Sequence, residues 1–386
     1  MIRAFRFLAD PLKARLAASP PVPVATQGSV HVRDAFSLAA AVRWQVLALA
    51  PCLFMAFYNT GLQANLTMER LKIAAAAGWR GGMIDALGTG YDPLGFWSAV
   101  IHGGLYFIPL FVVVALSALF WEQVFAKMRN RTLSEGLLVL ILLFVLLLPP
   151  SIPLWQAALG ISFGIVIGRE IFGGAGKYVL HPVLVGLAFL YVTYPAEMVI
   201  ESNWVMVDAF SKPTYLSLAA QQRPEALAWV ATPWELSFLG LVPGALGTTS
   251  TLACFLGAAV LLYAGAASGR VMAGMALGMT ATAVLFNTLG GDAYSGMAFY
   301  WHLTLGSFAF GAVFLATDQT TAAMTDRGRW IYGLLIGFLV VLIRVANMHH
   351  PDGVMFAILL GNIFAPLIDY LVVRANIRRR VKRHAA

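Results

Sequence analysis

The chain has 386 residues, of which 60% are hydrophobic and 11% charged, with a mean hydropathy of +0.77. A soluble domain of this size has nowhere to hide so much apolar surface, so composition excludes an ordinary water-soluble globular protein. A formal charge of +8 at pH 7 would suggest nucleic acid in a soluble chain. Here it matches the lysine and arginine bias of cytoplasmic membrane-protein loops, and no nucleic-acid partner is expected.

In chain order, residues 1–43 are mixed in character, carry Pro20, Pro21 and Pro23, and contain no recognisable cleavable signal peptide. They read as a cytoplasmic N-terminal segment. Apolar runs near the length that spans a hydrocarbon core then recur from 44 to 373. Ten are predicted, at 44–62, 97–120, 135–150, 155–168, 180–197, 237–265, 271–290, 299–317, 330–346 and 354–373. The fourth is short. The sixth holds Pro243, Gly244 and Gly247 and is expected to begin as a broken or re-entrant piece. The fold class is therefore all-α: a polytopic membrane protein of about ten transmembrane helices, some of them broken or re-entrant. Residues 374–386 form a basic tail.

Lys127, Arg129 and Arg131 make one basic cluster, Arg327 and Arg329 a second, and the tail ANIRRRVKRH a third. Their bias to one side predicts an even number of spans, both termini cytoplasmic, and an extracytoplasmic loop at about 198–236. A bacterial inner membrane is the expected location. The pattern W-x-x-x-L-G occurs twice, from Trp155 to Gly160 and from Trp301 to Gly306, each followed shortly by Ser-Phe. It falls in the fourth and eighth spans and does not fit a simple five-plus-five duplication.

The stretch FGGAGKYVLHPVLVG, Phe172 to Gly186, has the look of a phosphate-binding glycine loop. Tyr178 follows Lys177 where a magnesium-binding hydroxyl should stand, and no clear single strand precedes it, so a Walker-type loop is rejected. A glycine-rich turn at a membrane surface is the plainer reading. Cys52 and Cys254 are too few for a four-cysteine iron–sulfur site within the chain and read as small buried hydrophobes. Ionisable residues in or beside spans are costly and are functional candidates by default. These are Glu170, Asp318 and above all Asp369, which reads as a lone acid deep in the tenth span. His302 reads as an interfacial histidine or a donor to a cofactor. No catalytic residue and no metal-ligand spacing is predicted. Residue patterns alone leave transporter, channel and redox subunit open.

Several stretches go further. MAFYNTGLQAN, SFGIVIGREIFGGAGK, LVPGALGTTSTL, HLTLGSFAFGAVFLATD, LIRVAN and GNIFAPLIDYLVVRANIRRR occur in order and cover most of the chain from Met55 onward. Together they resemble the B subunit of the sodium-translocating NADH:quinone oxidoreductase, a family that includes the D subunit of Rnf complexes. The resemblance implies a membrane subunit, spanning 44–373, that carries flavin and passes electrons toward quinone, coupled to sodium export. Its implied partners are the other subunits of an NADH:quinone reductase complex, quinone, membrane lipid and a flavin transferase. It also implies an FMN joined through its phosphate to a loop threonine, in a motif similar to Asp-Gly-x-Ser-Gly-Ala-Thr. Here Asp208, Ser211 and Thr214 stand, while Ala209 and Lys212-Pro213 replace the small residues; attachment at Thr214 is the expectation. The glycine-rich stretch resembles the family's noncovalent riboflavin segment GGTGKNFLNPALAG. Gly173, Gly174 and Gly176 remain, but Tyr178 and His181 replace two asparagines. That predicts a cofactor-facing turn with altered ligands and weak riboflavin retention. A Rnf-type or paralogous electron-transport subunit, and a small-solute channel or transporter on the same scaffold, are the alternatives.

Overall fold

The computed structural model describes residues 37–76, 78–198, 214–217, 233–289, 297–346 and 352–384. Ser37 accepts the Ala40 N–H through its side chain (3.2 Å) and starts α1, Leu38–Leu71. The short α2, Gly78–Leu87, leads into α3, Phe96–Met128. Then come α4, Leu137–Leu147; α5, Leu154–Ile165, which runs into a π-helical turn at Val166–Glu170; and α6, Pro182–Thr193, opened by Pro182. The second half holds α7, Trp234–Leu239, and α8, Thr251–Tyr263, capped by the Ser250 side chain on Ala253 N (3.1 Å). It continues with α9, Gly269–Leu289; α10, Phe299–Thr304; and α11, Phe308–Phe310, which opens a second π turn at Gly311–Leu315. It ends with α12, Asp326–Ala346, and α13, Val354–His384.

No strand occurs among the described residues. Five helices, α1, α3, α9, α12 and α13, are long and apolar enough to cross a membrane, and α4, α6 and α8 are shorter apolar helices. The chain is thus an all-α polytopic membrane protein. The sixth predicted span does begin broken: residues 240–250 are irregular, and a regular helix starts only at Thr251. The eighth, expected as one run over 299–317, is also broken. Gly306 at φ +77° separates α10 from α11, a conformation that suits glycine. Helix α13 continues through the basic tail to His384. Both W-x-x-x-L-G motifs lead to π turns. Each turn begins four residues after the motif's serine, at Val166 after Ser162 and at Gly311 after Ser307, so the repeated pattern has a structural counterpart.

At about 1.5 Å per residue, α4 reaches roughly half of the hydrocarbon thickness. Its flanking backbone must therefore be satisfied by protein. Leu146 O accepts the N–H of Gly247 (2.7 Å) and Leu148 O that of Leu246 (3.2 Å). The same irregular segment is held from α1, where Asn59 Nδ2 donates to Val242 O (2.9 Å) and Gln63 Nε2 to Leu241 O (3.0 Å).

Glycines bring the helices close enough for such bonds. Gly274 and Gly278 of α9 meet Gly333 and Gly337 of α12; Gly61 of α1 meets Gly103 of α3; Gly160, Gly164 and Gly168 line α5 and its π turn against α6, with Gly186 opposite. This is the small-residue spacing by which helices associate in lipid. Close packing of α1 on α8 also brings the two cysteines together, Sγ to Sγ at 3.9 Å and both buried, a neighbourhood their separation in sequence does not announce.

A Cβ added to Gly333 would lie 2.6 Å from Val271 O and 3.0 Å from Gly274 Cα. Gly333→Val is therefore expected to lower stability by about 1–3 kcal/mol, the usual cost of overpacking. Gly82→Ala, where a Cβ meets nothing within 4 Å, should leave stability unchanged or slightly raised. Thermal unfolding of the two purified variants in one detergent checks both.

Candidate functional site

Two polar regions stand out. The first lies where α3 ends and the first π turn begins. Glu122 of α3 and Glu170 of the π turn are fully buried, and Arg169 is 2% exposed. Arg169 Nη2 pairs with Glu122 Oε2 at 2.9 Å. Arg129 and Arg131, just past the end of α3, pair with Glu170 at 3.1 and 2.7 Å. Ser134 N donates to Glu122 Oε1 (3.0 Å). Two acids and three arginines thus neutralise most of one another, the condition under which buried charge is tolerated. The π turn matters because its wider winding presents Arg169 and Glu170 to this cluster, closed by Ile171 N on Val166 O (3.0 Å).

The glycine-rich turn follows directly. Gly174, at φ +98°, packs against the Arg131 and Arg129 guanidinium groups, where a side chain has no room. The N–H groups of Gly173, Gly174 and Lys177 are all used within the turn, on Glu170 O, Arg169 O and Gly174 O. They do not form a phosphate cradle, in agreement with the rejected Walker reading. Downstream, Tyr178 is half-buried and His181 buried. Burial and then the nearby Asp318 carboxylate push the Tyr178 phenol above its usual range. Burial holds the His181 imidazole below its usual range, against the opposing pull of Asp318. Among the described residues His181 Nδ1 has no hydrogen-bond partner. Asn362 of α13, oriented by its neighbours, donates to Tyr332 Oη (2.7 Å) and accepts from His181 N (3.3 Å). The structure therefore brings together Gly173, Gly174, Gly176, Tyr178, His181, Asp318 and Glu170 around one end of α5 and α11.

The second region surrounds the broken segments. A cavity of about 90 Å³ is lined by Thr214, Ser217, Thr249, Ser307 and Asp352 among its polar residues. Thr214 is half-buried; its hydroxyl accepts from Ser217 N and donates to Ser217 Oγ, both at 3.2 Å. Beside the cavity, Arg344 is fully buried. Its guanidinium donates to His302 O (2.8 Å) and Leu305 O (3.0 Å) and faces Asp352 at 3.6 Å. Asp352 accepts the Ser307 N–H (2.9 Å). His302 is thus a buried neighbour of Arg344. Asp208 and Ser211 lie outside the described residues.

Asp369 needs correction. It is not a lone acid deep in its span but is partly exposed, and it accepts Met324 N (2.7 Å), Thr325 N (3.0 Å) and Thr325 Oγ1 (2.6 Å). It tethers the start of α12 to α13. Asp318 accepts Thr321 N and Oγ1 (3.2 and 3.1 Å). Sequence reading misses Glu122 because hydropathy ends the second span at 120, whereas α3 runs on to Met128. The partners of Arg344 come from a broken helix and a connecting segment, a neighbourhood that the sequence does not announce.

Comparison with known proteins gives a consistent result. Residues 25–378 match the family described as NQR2, RnfD, RnfE. The B subunit of the Na(+)-translocating NADH-quinone reductase of Pseudomonas aeruginosa is 47% identical over 363 residues, 93% of this chain and 90% of the relative. The B subunit of the same name from Chromohalobacter salexigens is 47% identical over 366 residues, covering 94% and 89%. That of Azotobacter vinelandii is 46% identical over 363 residues, covering 93% and 90%.

The arginine cluster makes a direct prediction. Glu122→Gln leaves the buried Arg169 guanidinium short of its 2.9 Å partner, and breaking a buried pair from one side costs about 3–5 kcal/mol. Thermal unfolding should fall accordingly. Arg270→Gln, which removes an exposed pair with Asp326, should change stability by less than about 1 kcal/mol.

Proposed function

Since this chain belongs to the NQR2, RnfD, RnfE family, we propose that it is the membrane subunit of a sodium-translocating NADH:quinone reductase, passing electrons toward quinone coupled to sodium export. The observation that carries this reading is identity of 47% spread over 93% of the chain, against relatives named for that complex. The match runs through every apolar helix, the glycine turn and both broken segments. Other subunits of the complex and quinone are its partners. The location is a bacterial inner membrane with both termini cytoplasmic, in keeping with the arginine-rich turns that follow α3, open α12 and end α13. Residues 44–373 form the electron-transfer domain.

Flavin is the redox group this function calls for, and when bound it supplies the electron-carrying chemistry. Thr214 suits attachment: its hydroxyl is half-buried beside a cavity, on the loop expected outside the membrane. Thr214 would hold the phosphate at the edge of this cavity. The Ser217 N–H that now donates to Thr214 Oγ1 would remain to steady an esterified oxygen. Asp208 and Ser211 complete the motif that a flavin transferase would read. At the glycine turn, the orphaned and buried His181 Nδ1 is suited to a polar ligand edge, and Tyr178 to stacking or donating. These groups replace amides, so retention of riboflavin there is expected to be weak.

Ion coupling falls to acids whose charge can change partners. Glu170 is held by three arginines, Arg129, Arg131 and Arg169. Asp318 and Asp369 are bonded only to neutral groups, which makes them the better candidates.

Two experiments test this reading. Expression with a flavin transferase, then mass spectrometry of the peptide spanning 203–223, should find an FMN-sized mass that Thr214→Ala abolishes. An unmodified peptide, under conditions that flavinylate a control relative, removes Thr214 from the role. Asp369→Asn keeps one carbonyl oxygen for Thr325 and loses the charge. It should lower the sodium dependence of turnover while the complex stays assembled; an unaltered sodium response would leave Asp369 as a tether alone.

A further inference from the structure

The arginine-rich ends of α12 and α13 enclose a groove that the electron-transfer reading does not use. It has a volume of about 300 Å³ and is lined by Arg327, Ile331, Ile368, Leu371, Val372 and Ala375. The pattern follows from helix spacing. Ile368, Leu371, Val372 and Ala375 recur at i, i+3, i+4 and i+7, so they share one face of α13. The same face next presents Arg378 and Arg379, both exposed. On α12, Arg327 and Ile331 are one turn apart and share a face in the same way. The groove therefore has an apolar floor and a cationic rim.

The acids beside that rim are already engaged. Asp326 pairs with Arg270 and Arg329, and Asp369 is bonded to Met324 and Thr325. Among the described residues no carboxylate pairs with Arg327, Arg378 or Arg379. Trp330, exposed and three residues from Arg327 on α12, is the type of residue that sits at headgroup level. An occupant must bring an apolar body for the floor and negative charge for the rim. A free anion lacks the first. We infer that this groove binds an anionic glycerophospholipid, acyl chain along Ile331, Ile368 and Leu371 and phosphodiester at Arg327 and Arg378. Basic pockets between transmembrane helices hold such headgroups.

The test uses the full chain, alone and in its assembled complex, in phosphatidylcholine nanodiscs. These are doped with either phosphatidylglycerol or phosphatidylcholine bearing a photoreactive diazirine in one acyl chain. Labelled peptides are mapped by mass spectrometry. Phosphatidylglycerol should label the peptides around Ile331 and Ile368–Ala375 at least about fivefold more than phosphatidylcholine. Arg327→Gln and Arg378→Gln should each cut that labelling about fivefold, the worth of one basic residue near an anionic surface. Arg327→Lys, which keeps the charge, should retain most of it. Equal labelling by the two lipids overturns the proposal, as does labelling indifferent to both glutamine variants. Loss of lipid labelling on assembly, with a partner protein cross-linked to the groove instead, also overturns it, because the occupant is then protein.

Discussion

In a bilayer, helices gain little from hiding apolar surface against one another, since lipid is equally apolar. What holds this protein together is close van der Waals contact between backbones, and glycine sets how close they come. The α9–α12 contact is made through Gly274, Gly278, Gly333 and Gly337. The α5–α6 contact is made through a glycine every fourth residue, and the last of them, Gly168, lies inside the first π turn. That contact fixes the depth of Arg169 and Glu170, and with it the arginine cluster. In α1, the approach at Gly61 lies between Asn59 and Gln63, the two residues that hold the irregular 240–250 segment.

The second constraint is the accounting of backbone polar groups. A break in a helix frees N–H and C=O groups that no lipid can satisfy. Residues 240–250 find partners on α1 and α4. The break at 305–307 finds them in Arg344, which takes the carbonyls of His302 and Leu305, and in Asp352, which takes the Ser307 N–H. A buried arginine inside a span thus serves a structural need that only a multi-donor side chain could meet. Both breaks line the cavity that Thr214 borders. Irregular backbone near a cavity is the arrangement in which membrane proteins build sites.

The sequence reveals the helical class because apolar runs of spanning length need no tertiary information. It reveals the break at 240–250 because Pro243, Gly244 and Gly247 oppose a helix directly. It does not reveal the break at 306, where a single glycine in an apolar run reads as tolerable until its backbone conformation is known. The glycine turn is legible as a turn, but the reason for its glycines is not. Gly174 faces Arg129 and Arg131 from the end of another helix, a long-range fact. Asp369 is misread for a similar reason. Its apolar neighbours in sequence suggest depth, while its hydrogen-bond partners, Met324 and Thr325, come from the start of a different helix. Glu122 escapes notice because hydropathy ends a span where charge begins, although a helix can carry a charge onward when partners wait for it.

These placements separate two kinds of buried acid that look alike in sequence. Glu122 and Glu170 are surrounded by guanidinium groups and would have to break strong pairs to accept a cation. Their charge fixes the π turn and, through it, the position of the glycine turn. Among the described residues Asp318 has no such counter-ion; its carboxylate is held by one threonine and acts on Tyr178 and His181. On the proposed function, a cation arriving at Asp318 would offset the field that raises the Tyr178 phenol and opposes the lowering at His181. Both side chains belong to the turn suited to a polar ligand.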